Sequence, residues 1–570
     1  MIQVLKFGSS VLHAASELAI AVDEIYRHWR SHNRILAVVS AFEGITDRLI
    51  EEAAQIFGDT CPAAAAAYIS TGEQKTAALL VGALARAGIP SRLLDPRDIE
   101  LVAVGSVLES APCSVDMNRL QHFWDEHPIL VLPGFYGSNA QGQTCLFGRG
   151  GSDLSALFIA AELNAECRLL KDVNGVFDAD PAADTHAHRF TALSWPRAIA
   201  VAGPLIQPKA LAYAQLRALP FCVGRPNERA GTQVGVSSDE WAKPTSPPPR
   251  LRVALLGCGT VGRGVCENLK RYPKLFDVRH VVVGDATKYA DVAGVTTDSS
   301  VVLEPGIDLL VECCGDTGLA YPLIVGALQS GKFVVTANKA LMAARWTELS
   351  RWVRTVNQQL WYSAAVGGAL PALETLANLP APVREIRGVL NGTCGAVLDH
   401  WGQGKTRAEA IMLAQAAGFA EADPVRDLSG ADSADKLALL IEAAFGVWVP
   451  PQDIATEGIQ SVSEPRGVKL IARAHLGVDG VRASVAPQTP EPGSFLSGAQ
   501  GAENRIEFEL QSGEVIRLAG QGAGRWPTAV SVMGDLLEIA RLLEDSAEQR
   551  GAHGRARRLA PRAKPGMSDG

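Results

Sequence analysis

Residues 251–256 read Leu-Arg-Val-Ala-Leu-Leu and run directly into Gly257-Cys-Gly-Thr-Val-Gly262. A short apolar strand thus ends on three glycines spaced G-x-G-x-x-G, and a helix-like run, Arg263 to Leu269, follows. The first glycine permits a tight turn, the second lets a pyrophosphate approach the backbone, and the third lets helix pack against strand. The helix N-terminus then offers amide donors to phosphate. Gly257, Gly259, Thr260, Val261 and Gly262 are therefore candidate dinucleotide contacts. Further strands expected near 279–283, 308–313 and 333–336, with helix-length spacings between them, imply a parallel sheet covered by helices.

An acid that grips a ribose hydroxyl usually lies about 20 residues beyond the first glycine. Asp285 comes later than that, and Lys288 beside it would instead suit a 2′-phosphate. The choice between NAD and NADP stays open, as does a plain solvated loop. The chain of 570 residues divides at 236–250, where Pro244 and Pro247-Pro248-Pro249 cannot continue a helix or a central strand. Before that linker, Arg34 to Val39, Ile129 to Leu132 and Cys167 to Leu170 read as strands, and Asp153 to Leu163 as a helix. The 53 Lys and Arg against 61 Asp and Glu give a net charge of -8, without the basic excess of a nucleic-acid binder. No apolar run is long enough to span a membrane, and the N-terminus lacks a secretory pattern, so a cytoplasmic protein is expected. The ten cysteines form no C-x-x-C pair; buried reduced thiols are expected, Cys313 and Cys314 included.

Beyond the glycine turn come Val335-Thr-Ala-Asn338-Lys339, Ala365-Val-Gly-Gly-Ala-Leu-Pro371, Leu390-Asn-Gly-Thr393 and Gly418-Phe-Ala-Glu421-Ala-Asp423-Pro424, which continues through Asp427, Gly430 and Asp432 to Lys436. Asp432 and Lys436 share a face if helical; taken alone, such a pair reads as a surface ion pair of about 0.3–0.5 kcal/mol. Gly522-Ala-Gly524 and Pro527-Thr-Ala529 follow later. Together, in order and spacing, these segments resemble homoserine dehydrogenase over 251–545. The resemblance implies NAD(P)-dependent interconversion of aspartate 4-semialdehyde and L-homoserine in threonine and methionine biosynthesis. It places Lys436 and Lys339 at the reacting oxygen, Glu421 and Asp432 on the amino acid, Asp427 in support, and Asn338 and Gly524 near the cofactor. A free lysine is protonated below about pH 10.4, so a lysine acting as base needs its pKa depressed; a second ammonium and burial would both do so. The family's monovalent cation site, for sodium or potassium, falls on the backbone carbonyls of Val366, Gly368 and Leu370. Ser363 stands where many members have an acid, which weakens that site.

The first half carries Lys6-Phe-Gly-Ser-Ser10, Val39-Ser40-Ala41 with Gly44-Ile-Thr46-Asp47, Ser70-Thr-Gly-Glu73, Gly148-Arg149-Gly-Gly-Ser152-Asp153, and Lys171-Asp172-Val-Asn-Gly-Val-Phe177 with Ala179-Asp-Pro181. In this order they resemble the amino-acid kinase fold of aspartokinases across 1–235. The resemblance implies aspartate binding by Ser40, Thr46, Glu73, Arg149 and Ser152, catalysis by Lys6 and Asp153, and nucleotide contact at Asp172, with ATP and Mg2+. Arg149 suits bidentate capture of a carboxylate, Glu73 suits an ammonium, and a lysine suits the transferred phosphate. The ATP side departs from the pattern. The first loop is one residue short, Ala182 replaces an arginine, Pro204 stands where a Gly-Ala-Lys segment is usual, and Gln207 replaces a histidine; Lys171, in place of a threonine, restores some positive charge. Losing phosphate-facing cations costs orders of magnitude in rate.

The expected fold is α/β: an amino-acid-kinase-like domain (1–235), a Pro-rich linker (236–250), a Rossmann NAD(P)-binding domain (251–380), an α+β catalytic and dimerisation domain (381–520), a segment returning to the nucleotide domain (521–545) and a disordered tail (546–570). Neither the linker nor the tail has the roughly 50 residues of a small domain. Amino-acid-sensing ACT domains, usual in aspartokinase–homoserine dehydrogenase fusions, are thus not expected, and inhibition by threonine through them is not expected either. A homodimer or larger homo-oligomer is expected from the resemblance. Two alternatives stay open: a dehydrogenase for another small amino or hydroxy acid, and a first half that binds aspartate or supports oligomerisation without catalysis.

Overall fold

The computed structural model describes residues 1–31, 34–203, 205–242, 250–353, 359–420 and 423–559, with side chains of the last helix described to Glu544. Among these residues the strands form four sheets. The first half is built on a nine-stranded sheet centred on Ile2–Phe7, which lies parallel to Arg34–Val39 on one side and Glu166–Leu170 on the other. Each buries most of its residues, Val4 to Phe7, Ile35 to Val39 and Leu169-Leu170 among them, as a sheet covered on both faces requires. A small four-stranded sheet, containing Val102–Gly105 and Ser110–Ser114, stands beside it.

The second half begins with six parallel strands in the spatial order Val295–Thr296, Phe276–Val282, Leu251–Leu256, Leu309–Glu312, Phe333–Thr336, Leu360–Trp361. Numbered along the chain this is 3-2-1-4-5-6, the doubly wound order whose direction reverses between its first and fourth strands. A six-stranded, largely antiparallel sheet follows, with Val383–Val389 paired between Lys469–Gly477 and Glu503–Leu510. Helix Ala431–Phe445 packs on it, buried along most of its length.

Helix Arg525–Leu559 then returns to the nucleotide-binding sheet and packs along helix Thr260–Leu269. Helical backbone continues to Leu559, past Ser546, where sequence composition pointed to disorder. Glu, Gln, Ala, Arg and Leu are good helix formers, and Pro561 is the first proline beyond Pro527. All ten thiols are free; Cys61 and Cys113 are exposed, and Cys313 and Cys314 are only partly buried, because they face the sheet edge where the glycine turn crosses.

The two halves share a core. Ala369 and Val530 of the second half pack into the cluster formed by Leu5, Val22, Ile25 and Leu80 of the first. Helix Leu18–Arg30 carries most of the polar seam. Asp23 accepts from Tyr272 Oη at 2.6 Å, Asn227 Nδ2 donates to the same hydroxyl at 3.0 Å, and Gln521 N donates to Gly88 O at 3.1 Å.

Candidate active site

Because the strands are parallel, Gly257, Cys313 and Asn338 all emerge at one edge of the nucleotide-binding sheet. Gly257 has φ +93°, and a Cβ there would lie 2.6 Å from the Cys314 backbone. A Cβ on Gly262 would lie 2.0 Å from Gly257 O, whereas Gly259 has open space. The three glycines thus divide the labour that the motif implies: turn, approach, close packing. Glu312, fully buried at the end of its strand, accepts from Cys314 N at 2.8 Å and from Thr336 Oγ1 at 2.5 Å, fixing the crossover. Thr260 and Val261 open the helix, and Gly524, φ +119°, precedes helix Arg525–Leu559. Asp285 follows strand Phe276–Val282, accepts from Thr287 N at 3.0 Å and lies 3.7 Å from Lys288; both are exposed. Asn338 caps helix Lys339–Ala344 through Leu341 N, and its Nδ2 is buried without a partner. These residues fit a dinucleotide.

Next to that edge, Asp432 binds two lysines at once: Lys339 Nζ at 2.8 Å and Lys436 Nζ at 3.0 Å. Gly430, φ +84°, sets the start of helix Ala431–Phe445, so Asp432 sits in its first turn and Lys436 one turn on. The Asp432 and Lys436 side chains are 7% and 5% exposed, which excludes the surface-pair reading. Lys436 also donates to Leu390 O at 2.7 Å. Asn391 Nδ2 donates to Asp427 at 2.6 Å and to Asp432 at 2.9 Å, while its Oδ1 caps the helix that follows. Burial opposes the Asp432 charge, but the lysines outweigh it and hold its pKa well below the usual carboxylate value. Burial and the neighbouring Asp432 push Asp427 upward.

Lys339 departs from expectation. Burial works against its ammonium, yet Asp432 prevails and raises the pKa. The expected depression fails because a carboxylate, not open space, separates the two ammonium groups. Glu421 lies outside the described residues. The Leu-Asn391-Gly-Thr segment carries an N-cap signal, which gives no hint that the same amide bridges two acids.

Val366 lies in helix Ser363–Gly367, and Gly368 and Leu370 lie in the buried turn between it and helix Ala372–Ala377. Leu370 O accepts from Ala372 N at 2.9 Å, and the Ser363 hydroxyl donates to Asp535 at 2.8 Å. Among the described residues no group of three or more His, Cys, Asp and Glu side chains could hold a metal ion, which leaves the backbone carbonyls as the only ligands this turn could offer.

In the first half, Asp153 likewise bridges two lysines, Lys6 at 2.7 Å and Lys171 at 2.9 Å. Asp153 sits in the first turn of helix Gly151–Leu163, and Lys6 and Lys171 come from or just after adjacent strands. Burial lowers the Lys6 pKa to about 8, against the pull of Asp153. Burial alone would raise Asp153, but the two lysines bring it down to about 2. Glu73 Oε1 accepts from Ala41 N at 3.2 Å and Thr46 Oγ1 at 3.3 Å, while Oε2 is buried without a partner. Burial pushes its pKa up to about 7. Ser40 adjoins this group and Ser152 is buried beside Gly134. Arg149 is exposed at the rim, 4.0 Å from Asp47.

The nucleotide side is less open. A Cβ on Gly148 would lie 2.0 Å from Glu109 Oε2, and one on Gly150 would lie 2.3 Å from Gln207 Cβ. Lys209 is committed to Glu109 at 2.7 Å and to the Ser110 and Phe147 carbonyls. Asp172 is exposed, with its carbonyl taken by Arg225 Nε at 2.9 Å. Pro204 lies outside the described residues.

A doubly wound sheet with an intact glycine turn, beside a buried cluster of two lysines and a carboxylate, defines a nicotinamide-nucleotide oxidoreductase joined to an amino-acid-kinase fold. Residues 257–363 match the family "Homoserine dehydrogenase, NAD binding domain", 371–537 match "Homoserine dehydrogenase", and 1–216 match "Amino acid kinase family". The homoserine dehydrogenase of Corynebacterium glutamicum is 32% identical over 326 residues, spanning 52% of this chain and 73% of that protein. The Bacillus subtilis homoserine dehydrogenase is 31% identical over 316 residues, 51% and 73% of the two chains. A solved homoserine dehydrogenase from Thiobacillus denitrificans aligns with a TM-score of 0.49 at 28% identity, covering 53% of this chain and 76% of that one. The chain belongs to the homoserine dehydrogenase family, with an amino-acid-kinase domain fused ahead of it.

Proposed function

We propose that the second half interconverts aspartate 4-semialdehyde and L-homoserine with NAD(P), using Lys436 to move the proton and Lys339 as a fixed ammonium. The observation that carries this is Asp432 holding both lysines beside the edge where the glycine turn and Asn338 emerge. A bound nicotinamide supplies hydride exchange. Lys339, with its raised pKa, stays protonated and stabilises negative charge growing on the substrate oxygen. Lys436, oriented by Leu390 O and Asp432, donates a proton to the carbonyl oxygen in reduction and recovers it in oxidation. Asp432, already paired twice, positions the lysines, so the substrate ammonium falls to Glu421, with Asp427 in support. Incubation with homoserine and each cofactor should build up reduced cofactor; none with either would end this reading. The exposed Asp285 and Lys288 make the NADPH to NADH activity ratio the measurement of preference. Lys436→Ala should lose turnover by a factor on the order of 10² to 10⁴ with cofactor affinity nearly unchanged.

For the first half, Glu73 with its unpartnered oxygen supports aspartate capture, with Arg149 reaching the carboxylate from the rim. A second reading, aspartate binding without phosphoryl transfer, is favoured by Glu109 lying over the Gly148 turn and by Lys209 being spent on it. Full-length protein given ATP, Mg2+ and aspartate distinguishes them: ADP release supports the kinase, and calorimetric binding of aspartate alone supports the sensor. A homo-oligomer is proposed from family likeness, and sedimentation measures it.

A further inference from the structure

Lys436 takes its bearing from two acceptors, and one of them is shared with a residue that no motif singled out. An ammonium carries three N–H donors. Lys436 gives one to Asp432 at 3.0 Å and one to Leu390 O at 2.7 Å, so the direction of the third follows. Leu390 O also accepts from Asn504 Nδ2, at 3.0 Å. A carbonyl oxygen has two lone pairs, and these two side chains take both.

The sheet puts Asn504 there. Val389, the last residue of strand Val383–Val389, pairs with Arg505 of strand Glu503–Leu510 in antiparallel register. One step beyond that pair Leu390 faces Asn504, while helix Ala431–Phe445 brings Lys436 to the same carbonyl. Asn504 and Leu390 are each 1% exposed, so bulk water does not compete for the oxygen. The amide is clamped on its other side as well. Asn504 pairs with Gly520 of strand Val515–Gln521, and a Cβ on Gly522 would lie 1.8 Å from Asn504 Nδ2. Asn504 thus fills the space between the Leu390 carbonyl and the segment that leads to Gly524. Its Oδ1 is buried without a partner. A half-satisfied amide in a core is a poor choice for stability alone, which points to the carbonyl contact as its service.

We propose that Asn504 is a further positioning residue of the dehydrogenase: by filling one lone pair of Leu390 O and holding that peptide in place, it fixes where Lys436 aims its remaining donor. Its contacts are with Leu390 and Gly522, and it acts on the reaction through Lys436. The proposal rests on the dehydrogenase reading.

Two variants of the full-length protein test it. Asn504→Ala removes the donor, and Asn504→Asp keeps the shape while turning an oxygen toward Leu390 O. Either should lower kcat for homoserine oxidation by about tenfold to a hundredfold, the scale of a group misplaced by about 1 Å, with KM for the cofactor little changed. In a Lys436→Ala background Asn504→Ala should cost almost nothing further, because the group it aims is gone. Equal fold losses in the two backgrounds would overturn the proposal, as would full turnover by a folded Asn504→Ala protein. If that variant does not fold, Asn504→Asp is read in the same two backgrounds. Failure of both to fold would make Asn504 a residue of the core and overturn the proposal too. An unaltered protein that oxidises no homoserine with either cofactor removes the dehydrogenase reading and the proposal with it. Turnover by the unaltered protein without these losses in the variants removes the proposal alone.

Discussion

A buried carboxylate held between two ammonium groups recurs in both halves, as Asp432 with Lys339 and Lys436 and as Asp153 with Lys6 and Lys171. Removing the carboxylate from such a group leaves buried like charges facing each other, at a cost of about 3–5 kcal/mol. Asp432→Asn should therefore lower both the melting midpoint and kcat, checked by calorimetry and by homoserine turnover. Glu73 makes a pH prediction. Its folded pKa of about 7 lies above the ordinary 4.5, so its contribution to stability is fully present below 4.5 and fades as pH rises through 7. A ligand ammonium needs the ionised form, so aspartate affinity should rise between about pH 6 and about pH 8 and lose that slope in Glu73→Gln. A flat titration would contradict the ammonium role. Most of these residues were legible in sequence because motif spacing fixes residue type. Their protonation was not, since Lys339 and Asp432 meet across 93 positions and no local rule gives the sign of such an encounter.

At the scale of elements, the parallel sheet of the second half was readable from strand runs and glycine spacing, and its strands fall within a few residues of those expected. The strand expected near 279 starts at Phe276, three residues earlier, because Phe276 pairs with Leu251 at the sheet's base. Residues 546–559 carry helical backbone, and a polar, Arg-rich composition, which signals weak burial, says little about helix propensity. Gly262 gives the sharpest prediction here. With a Cβ placed 2.0 Å from Gly257 O, Gly262→Ala must part helix from strand. Cofactor affinity, followed by quenching of protein fluorescence, should fall by at least about tenfold, whereas Gly259→Ala, facing open space, should fold normally.

For the whole molecule, the shared core and the seam along helix Leu18–Arg30 make one cooperative unit of the two halves. Calorimetry should show a single melting transition, lowered by Tyr272→Phe by about 1–3 kcal/mol through the lost bond to Asp23. Two separated transitions would count against it. The seam was invisible in sequence, because Asp23, Tyr272 and Asn227 belong to no motif and come together only in the folded chain. Its consequence reaches beyond stability. A helix that holds two halves together stays under selection for that service, whatever happens to the chemistry at Lys6 and Asp153. Mutational drift could erase phosphate contacts such as those near Ala182 and Gln207 while leaving helix Leu18–Arg30 intact, so the fused half would outlive its own reaction as a scaffold.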